Sequence, residues 1–130
     1  IMAEAMMLKS STLAEDYWRR AIAAAAEPSD RFDVTIGYAD LLYSLGRNSE
    51  GAAQFDAVRA ALAPTDYDAI GRAHYAQANY EARAGLIEEA RRSYDEAERA
   101  YKQIGNASLR AFRLKDLEQA EAKTLGAPAA

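Results

Sequence analysis

The sequence predicts an all-α fold in which antiparallel helical hairpins stack into an α-α superhelix. Two observations carry that prediction. Half of the 130 residues are hydrophobic, much of that half is alanine, and only 3 prolines and 7 glycines interrupt it. Alanine is the strongest helix former, and its small side chain lets helix backbones approach closely. The second observation is a recurring frame. Trp18, Phe55 and Tyr94 each follow a small residue by four positions (Ala14, Gly51, Ala90) and precede a slim apolar one by three (Ala21, Val58, Ala97). Each also stands nine positions after a turn position, namely Lys9, Gly46 and Gly85. From Trp18 to Phe55 is 37 residues and from Phe55 to Tyr94 is 39. Periods of that length mark stacked supersecondary units.

About seven helices follow from the stop and start signals. Residues 2–9 read as the tail of a first helix that Ser10, Ser11 and Thr12 end, and Thr12 with Glu15 three later resembles a capping box opening the second. That helix runs to about Ala26, burying Leu13, Tyr17 or Trp18, and Ala21, until Pro28, Ser29 and Asp30 stop it and cap the next. The third spans about 31–45, burying Phe32 or Ile36, Ala39, Leu42 and Leu45, and Gly46 closes it in the left-handed conformation. Asn48 is a good cap for the fourth, which extends to Leu62 before Pro64. Thr65 and Asp68 open the fifth, which ends at Gly85; the sixth spans 86–104 and ends at Gly105 and Asn106. The seventh, 107–125, carries Leu109, Phe112, Leu117 and Ala120 on one side and Lys115, Glu118, Glu121 and Lys123 on the other, as suits a helix closing a stack against water. The organisation is therefore one domain, 1–125, with repeat frames of about 1–28, 31–63 and 66–104, a capping helix at 107–125 and a disordered tail at 126–130. Connections this short make consecutive helices antiparallel neighbours. Small residues at 14, 51 and 90 let the backbones meet, and the aromatic one turn later fills the space beyond them.

The frame resembles the tetratricopeptide repeat. The likeness is best from Ala84 to Ala97, where Gly85, Ala90, Tyr94 and Ala97 fall in the family's spacing; the second copy, with Tyr38 and Ala39 in its leading helix, is looser, and the first is half present. The periods exceed the family's usual length of about 34 residues. Gln77 and Glu81 stand where apolar residues are more usual, and Lys9 replaces the turn glycine. The longer period is similar to extended variants in peptide-sensing regulators and motor light chains.

The resemblance implies a right-handed superhelix whose first helix in each hairpin lines a concave groove. By register that groove receives Asp33, Ile36, Asp40 and Tyr43 from one repeat and Arg72, Tyr75, Asn79 and Arg83 from the next. Such a set suits a peptide. An amide such as Asn79 can hold a peptide backbone at two points, the arginines can take carboxylates, and the tyrosines offer apolar area at low entropic cost. The carboxylate clamp of some family members is not expected, because only Arg72 and Asn79 match it while Ile36 and Asp40 occupy the equivalent places one repeat earlier. A solvated inner face would carry the same residue types.

The stock for catalysis is thin. There is no cysteine, and His74, the single histidine, falls where a hydrogen-bonded packing role is expected. The pairs Asp66 with Asp68 and Glu88 with Glu89 lie in first turns, where caps and helix dipoles account for them. No glycine-rich phosphate loop, triad or metal-ligand spacing exists in the sequence. No enzyme activity, metal or cofactor is expected. With 16 basic against 20 acidic residues the charge is −4 and the pI about 5.0, so the excess of base typical of a nucleic-acid binder is missing. The basic stretch 99–115, with Arg99, Lys102, Arg110, Arg113 and Lys115, reads as a solvated face of two helices. The longest apolar run, 21–26, is far too short to cross a bilayer, and the start has neither a basic leader nor a cleavage site. A cytoplasmic location is expected, with further residues preceding Ile1 in the natural chain.

The function expected is a noncatalytic protein-protein interaction module that holds a peptide or helix of a partner protein in a concave groove. The alternative is a peptide-sensing or oligomerisation segment of a larger regulator, for example a transcriptional one. Homodimerisation through the N-terminal half-hairpin would cover Met2, Met6, Met7 and Leu8.

Overall fold

A computed structural model describes the backbone of residues 2–126 and the side chains of residues 11–126. Residues 127–130 of the expected tail, and the side chains of Met2, Met6, Met7 and Leu8, lie outside the described residues. The described chain is all-helical: α1 (Met2–Ala24), α2 (Pro28–Ser44), α3 (Asn48–Ala61), α4 (Tyr67–Arg83), α5 (Ile87–Lys102) and α6 (Ala107–Leu125). Six helices replace the expected seven because α1 passes without a break through Lys9, Ser10, Ser11 and Thr12. Hydroxyl side chains are only mildly unfavourable inside a helix, and no glycine or proline enforces a stop. Glu15, which a capping box would need beside Thr12, is engaged by Tyr38 and Arg47 instead.

The chain forms two compact units, residues 1–54 and 55–130. In the first, α1 packs on α2. Pro28 occupies the first turn of α2, where its missing N–H costs nothing, and Glu27 stands at the cap position without a side-chain bond. Trp18 lies over Gly37 so closely that a Cβ added there would sit 2.5 Å from ring atom Cη2. The ring of Tyr43 covers Gly51 in the same manner, at 2.8 Å. Tyr38, Ala39, Leu42 and Tyr43 are buried, whereas two residues expected inside are not: Leu13, which with Tyr17 lies on the other side of α1 (62% and 65% exposed), and Leu45, at the C-cap of α2 beside the turn (39% exposed). Of the expected pair at 17 and 18, Trp18 turns inward.

The second unit is built on the α4–α5 hairpin, with α6 against both helices. From α5, Ala90, Tyr94, Ala97 and Tyr101, followed by Ile104 just beyond its end, enter the core at alternating four- and three-residue steps, the stripe that an amphipathic helix presents. Leu117 is buried from α6, with Leu109, Leu114 and Leu125 packed beside it. Phe112, expected in this core, is 62% exposed. Its helix is rotated so that Leu114 takes the inward place, and Arg113 reaches Asp68 of α4 at 2.7 Å. Two polar ties stand in for the apolar residues expected at 77 and 81. Arg59 donates to Gln77 Oε1 at 2.7 Å, and the Ser93 hydroxyl donates to Glu81 Oε1 at 2.5 Å. Burial pushes the Glu81 carboxyl above its ordinary range, which the Ser93 bond only partly offsets.

The turns follow their residues. Gly46 at φ 78° and Gly85 at φ 84° close α2 and α4 in the left-handed conformation. In each turn the amide of the next residue reaches back five positions, Arg47 to the Leu42 carbonyl at 2.9 Å and Leu86 to that of Glu81 at 2.8 Å. Asp66, rather than Thr65, caps α4 by accepting from the Ala69 amide, and Asn106 caps α6 by accepting from that of Leu109. Asn48 is not a cap. The Arg47 carbonyl already accepts from the Gly51 amide, so Asn48 lies within the first turn of α3 and its buried Oδ1 has no partner.

Candidate functional site

The two predicted sets each form one face of their own helix, because steps of three and four residues recur every turn. On α2 Asp33 is exposed and Ile36 and Asp40 are half-buried. Tyr43 leaves the set: it is 4% exposed and its ring is spent covering Gly51. On α4 Arg72 and Arg83 are exposed, the latter with its guanidinium 5.1 Å from the centre of the Tyr80 ring. Tyr75 and Asn79 are half-buried. Asn79 is not at liberty to hold a peptide at two points, since the Tyr94 hydroxyl donates to its Oδ1 at 2.5 Å. A further bond joins Asn79 to Tyr75, which also meets Asp116 of α6. Asn79 is thus a link between α4 and α5, with Tyr75 continuing the chain to α6.

The densest polar arrangement lies in the first unit and was not expected from the sequence. Glu15 of α1 accepts from Arg47 Nη1 at 2.6 Å, Arg47 Nη2 at 3.0 Å and the Tyr38 hydroxyl at 2.8 Å. Arg19, one turn along α1, lies 2.8 Å from the same carboxylate and donates from Nε to the Tyr38 oxygen at 3.2 Å. Arg47 completes a bridge by donating from Nε and Nη2 to the two oxygens of Glu50 at 2.6 and 2.7 Å. The donated bonds from Arg47 and Tyr38 hold the Glu15 carboxyl far down, at a pKa of about 2, and the Arg47 guanidinium is raised in return by Glu50 and Glu15. Arg47 owes its place to the turn at Gly46, which fixes the residue after the glycine, and Tyr38 owes its own to the buried face of α2. Beside this cluster is a cleft of about 350 Å³ lined by Arg19, Ile22, Tyr38, Glu50, Ala53 and Gln54. The Arg19-Arg20 doublet was the available signal, but the partner that organises it, Arg47, is 28 positions from Arg19 and follows a turn.

Elsewhere several of the charged residues are paired. In the basic stretch Arg99 pairs with Glu96 at 2.7 Å, Lys102 with Glu98 at 2.7 Å, and Arg113 with Asp68, while Arg110 donates to the Ile104 carbonyl. Asp68 is therefore more than a first-turn acid; it joins α4 to α6. His74 is half-buried, and desolvation, with Arg59 nearby, lowers its pKa to about 4. An imidazole so tuned is neutral at pH 7. Among the described residues no group of three or more His, Asp or Glu side chains could hold a metal ion, and no helix is long and apolar enough to cross a membrane. No family model, curated protein or solved structure matches the chain.

Proposed function

We propose that this chain is a noncatalytic interaction module of tetratricopeptide-like type, its helical hairpins stacked in a superhelix that holds a peptide or helix of a partner protein. The observation that carries the reading is the α4 face. There Asn79 is fixed by Tyr94, and the exposed cations Arg72 and Arg83 lie on the same stripe, Arg83 with its guanidinium over Tyr80. Groups held in place before a partner arrives lose less entropy on binding. On this reading Arg72 and Arg83 contact the partner, Tyr75 supplies apolar area, and Asn79 positions Tyr75. From α2, Asp33, Ile36 and Asp40 contribute. The test is the double variant Arg72→Ala/Arg83→Ala, compared with wild type for the proteins that copurify from native lysate. Loss of specific partners with an unchanged circular dichroism spectrum is the expected result; an unchanged partner set would mean that the wrong face has been chosen.

A second reading, self-association through α1, is favoured by Leu13 and Tyr17, which stand one turn apart and are 62% and 65% exposed. Light scattering over a range of concentrations decides it. A mass that stays monomeric throughout removes this reading and leaves the first untouched.

A further inference from the structure

The cleft beside Glu15 has a chemistry separate from the α4 face. Tyr38, at its back, lies on the opposite side of α2 from Ile36 and Asp40, each two residues away in a helix that turns about 100° per residue. Its two charged walls have opposite sign. Arg19 contributes a guanidinium whose side chain is 64% exposed and whose bonds to Glu15 and Tyr38 use only part of its five N–H groups. Glu50 contributes a carboxylate that is 54% exposed and, with one bond from Arg47 on each oxygen, keeps further lone pairs. Taken with Glu15 and Arg47, the cluster holds two cations and two anions, so it favours no net charge in a ligand. Its complement is a neutral molecule that carries both signs.

The span of the cluster limits that molecule's size. Arg19 Nη2 to Glu15 Oε1 is 2.8 Å, Glu15 Oε1 to Arg47 Nη2 is 3.0 Å, and Arg47 Nη2 to Glu50 Oε1 is 2.7 Å. Arg19 and Glu50 therefore lie no more than about 8.5 Å apart along that path. Charge-assisted hydrogen bonds of about 2.8 Å at each end leave at most about 3 Å between the charged groups of a ligand lying in line between them. Across one N–Cα and one Cα–C bond, about 1.5 Å each and meeting at about 111°, the ammonium nitrogen lies about 2.5 Å from the carboxylate carbon and about 3 Å from its oxygens, whereas each further residue adds about 3.3–3.6 Å. Ile22 and Ala53 give the cleft an apolar wall, and Gln54 offers an amide donor and acceptor beside it.

We propose that this cleft binds a free α-amino acid with an aliphatic side chain, its carboxylate on Arg19, its ammonium on Glu50 and its side chain against Ile22 and Ala53. The corresponding place one period later is closed. Arg59 stands 37 positions after Ile22 and Gln77 stands 39 after Tyr38, and there the arginine bonds the glutamine directly at 2.7 Å.

The experiment is thermal unfolding and titration calorimetry with L-leucine, L-valine and L-alanine, beside N-acetyl-L-leucine and L-leucinamide, which each lack one charge. At ten times the dissociation constant a binding amino acid should raise Tm by about 5 °C. Both blocked derivatives, and Arg19→Gln with the free amino acid, should bind at least about tenfold more weakly, since each loses a charge-assisted bond. Ala53→Trp, which fills the cleft from an exposed position, should abolish binding while leaving the circular dichroism spectrum unchanged. The proposal is overturned if none of the three amino acids shifts Tm at about 50 mM, a weak-binding limit. It is equally overturned if a blocked derivative binds as well as the free amino acid, or if Ala53→Trp binds as wild type does.

Discussion

Replacing Gly71 by alanine sets two effects of known sign against each other. In a helix interior the change from glycine to alanine is ordinarily worth about 0.5–1 kcal/mol in favour of folding. At position 71, in α4, the new methyl would run into Cδ1 and Cε1 of Tyr101, which α5 packs against this backbone. That ring is 2% exposed and belongs to the core cluster with Tyr94, Ala97 and Leu117, so it has nowhere to swing. Relieving the overlap requires a shift of about 1 Å in ring or helix, and overpacking of this kind costs about 1–3 kcal/mol. Overpacking outweighs propensity, leaving a net loss of about 1–2 kcal/mol. For a domain of this size that lowers Tm by about 3–8 °C in a thermal melt followed by circular dichroism. Gly105→Ala is the internal control. No atom lies within 4 Å of its added Cβ and its φ is not positive, so the same substitution there should be neutral or slightly stabilising. Trimming the ring in Gly71→Ala/Tyr101→Leu should make the pair less damaging than the sum of its parts. If Gly71→Ala melts at or above wild type, the close packing of α4 on α5 described above is wrong.

Four other outcomes follow from the structure. Tyr94→Phe keeps the ring but removes the bond to Asn79, and denaturant titration should show a loss of about 1 kcal/mol, against about 3–5 kcal/mol for Tyr94→Ala. His74, the sole histidine, should titrate near pH 4 by NMR. Because its folded pKa is depressed below the ordinary 6.5, its contribution to stability is complete above pH 6.5 and is lost as pH falls towards 4; a titration near 6.5 would show an exposed imidazole instead. The folded pKa of Glu15 is also depressed, from 4.5 to about 2, so the Glu15→Gln variant should be less stable than wild type at neutral pH and the gap should close between pH 4.5 and 2. Gly46→Ala, with open space but φ 78°, should cost about 1–2 kcal/mol through left-handed strain alone.

Much of the fold was legible because its signals are local. The turn positions at Gly46 and Gly85 and the helix boundary at Gly105 and Asn106 are each settled within a few residues of chain. The misreadings are of another kind. The continuity of α1 turned on whether Glu15 would serve Thr12 or a side chain from a later element, and Arg47 won. In α6 the stripes through Phe112 and through Leu114 both satisfy helical spacing. The choice between them depends on the surface that α4 and α5 present, and there Arg113 meets Asp68. Likewise, Tyr43 and Asn79 stand at register positions expected to line a groove, but their neighbours Gly51 and Tyr94 claim them for packing. Register gives the face of a helix; it does not give the occupancy of that face.

The two glycine turns show how one local device yields structure in one place and a site in another. After Gly85 the fixed position carries Leu86, a half-buried apolar residue, which is the usual companion of such a turn. After Gly46 it carries Arg47, and the same backbone geometry delivers a guanidinium between Glu15 and Glu50. The side chain is ordered at both ends before any ligand arrives, so the orienting entropy is already lost in folding rather than in binding. Arg47→Leu would restore the pattern of the second turn and should keep the turn itself, but it would strip Glu15 of two donors and Glu50 of both. The Glu15 carboxyl should then titrate well above 2, and Arg19, still beside it, would become its main cationic partner. With Arg19 drawn to Glu15 and no bridge to Glu50, the cleft should lose binding of free aliphatic amino acids even though every wall residue remains. A variant that binds as wild type does would show that Arg47 supports the fold without arranging the cleft.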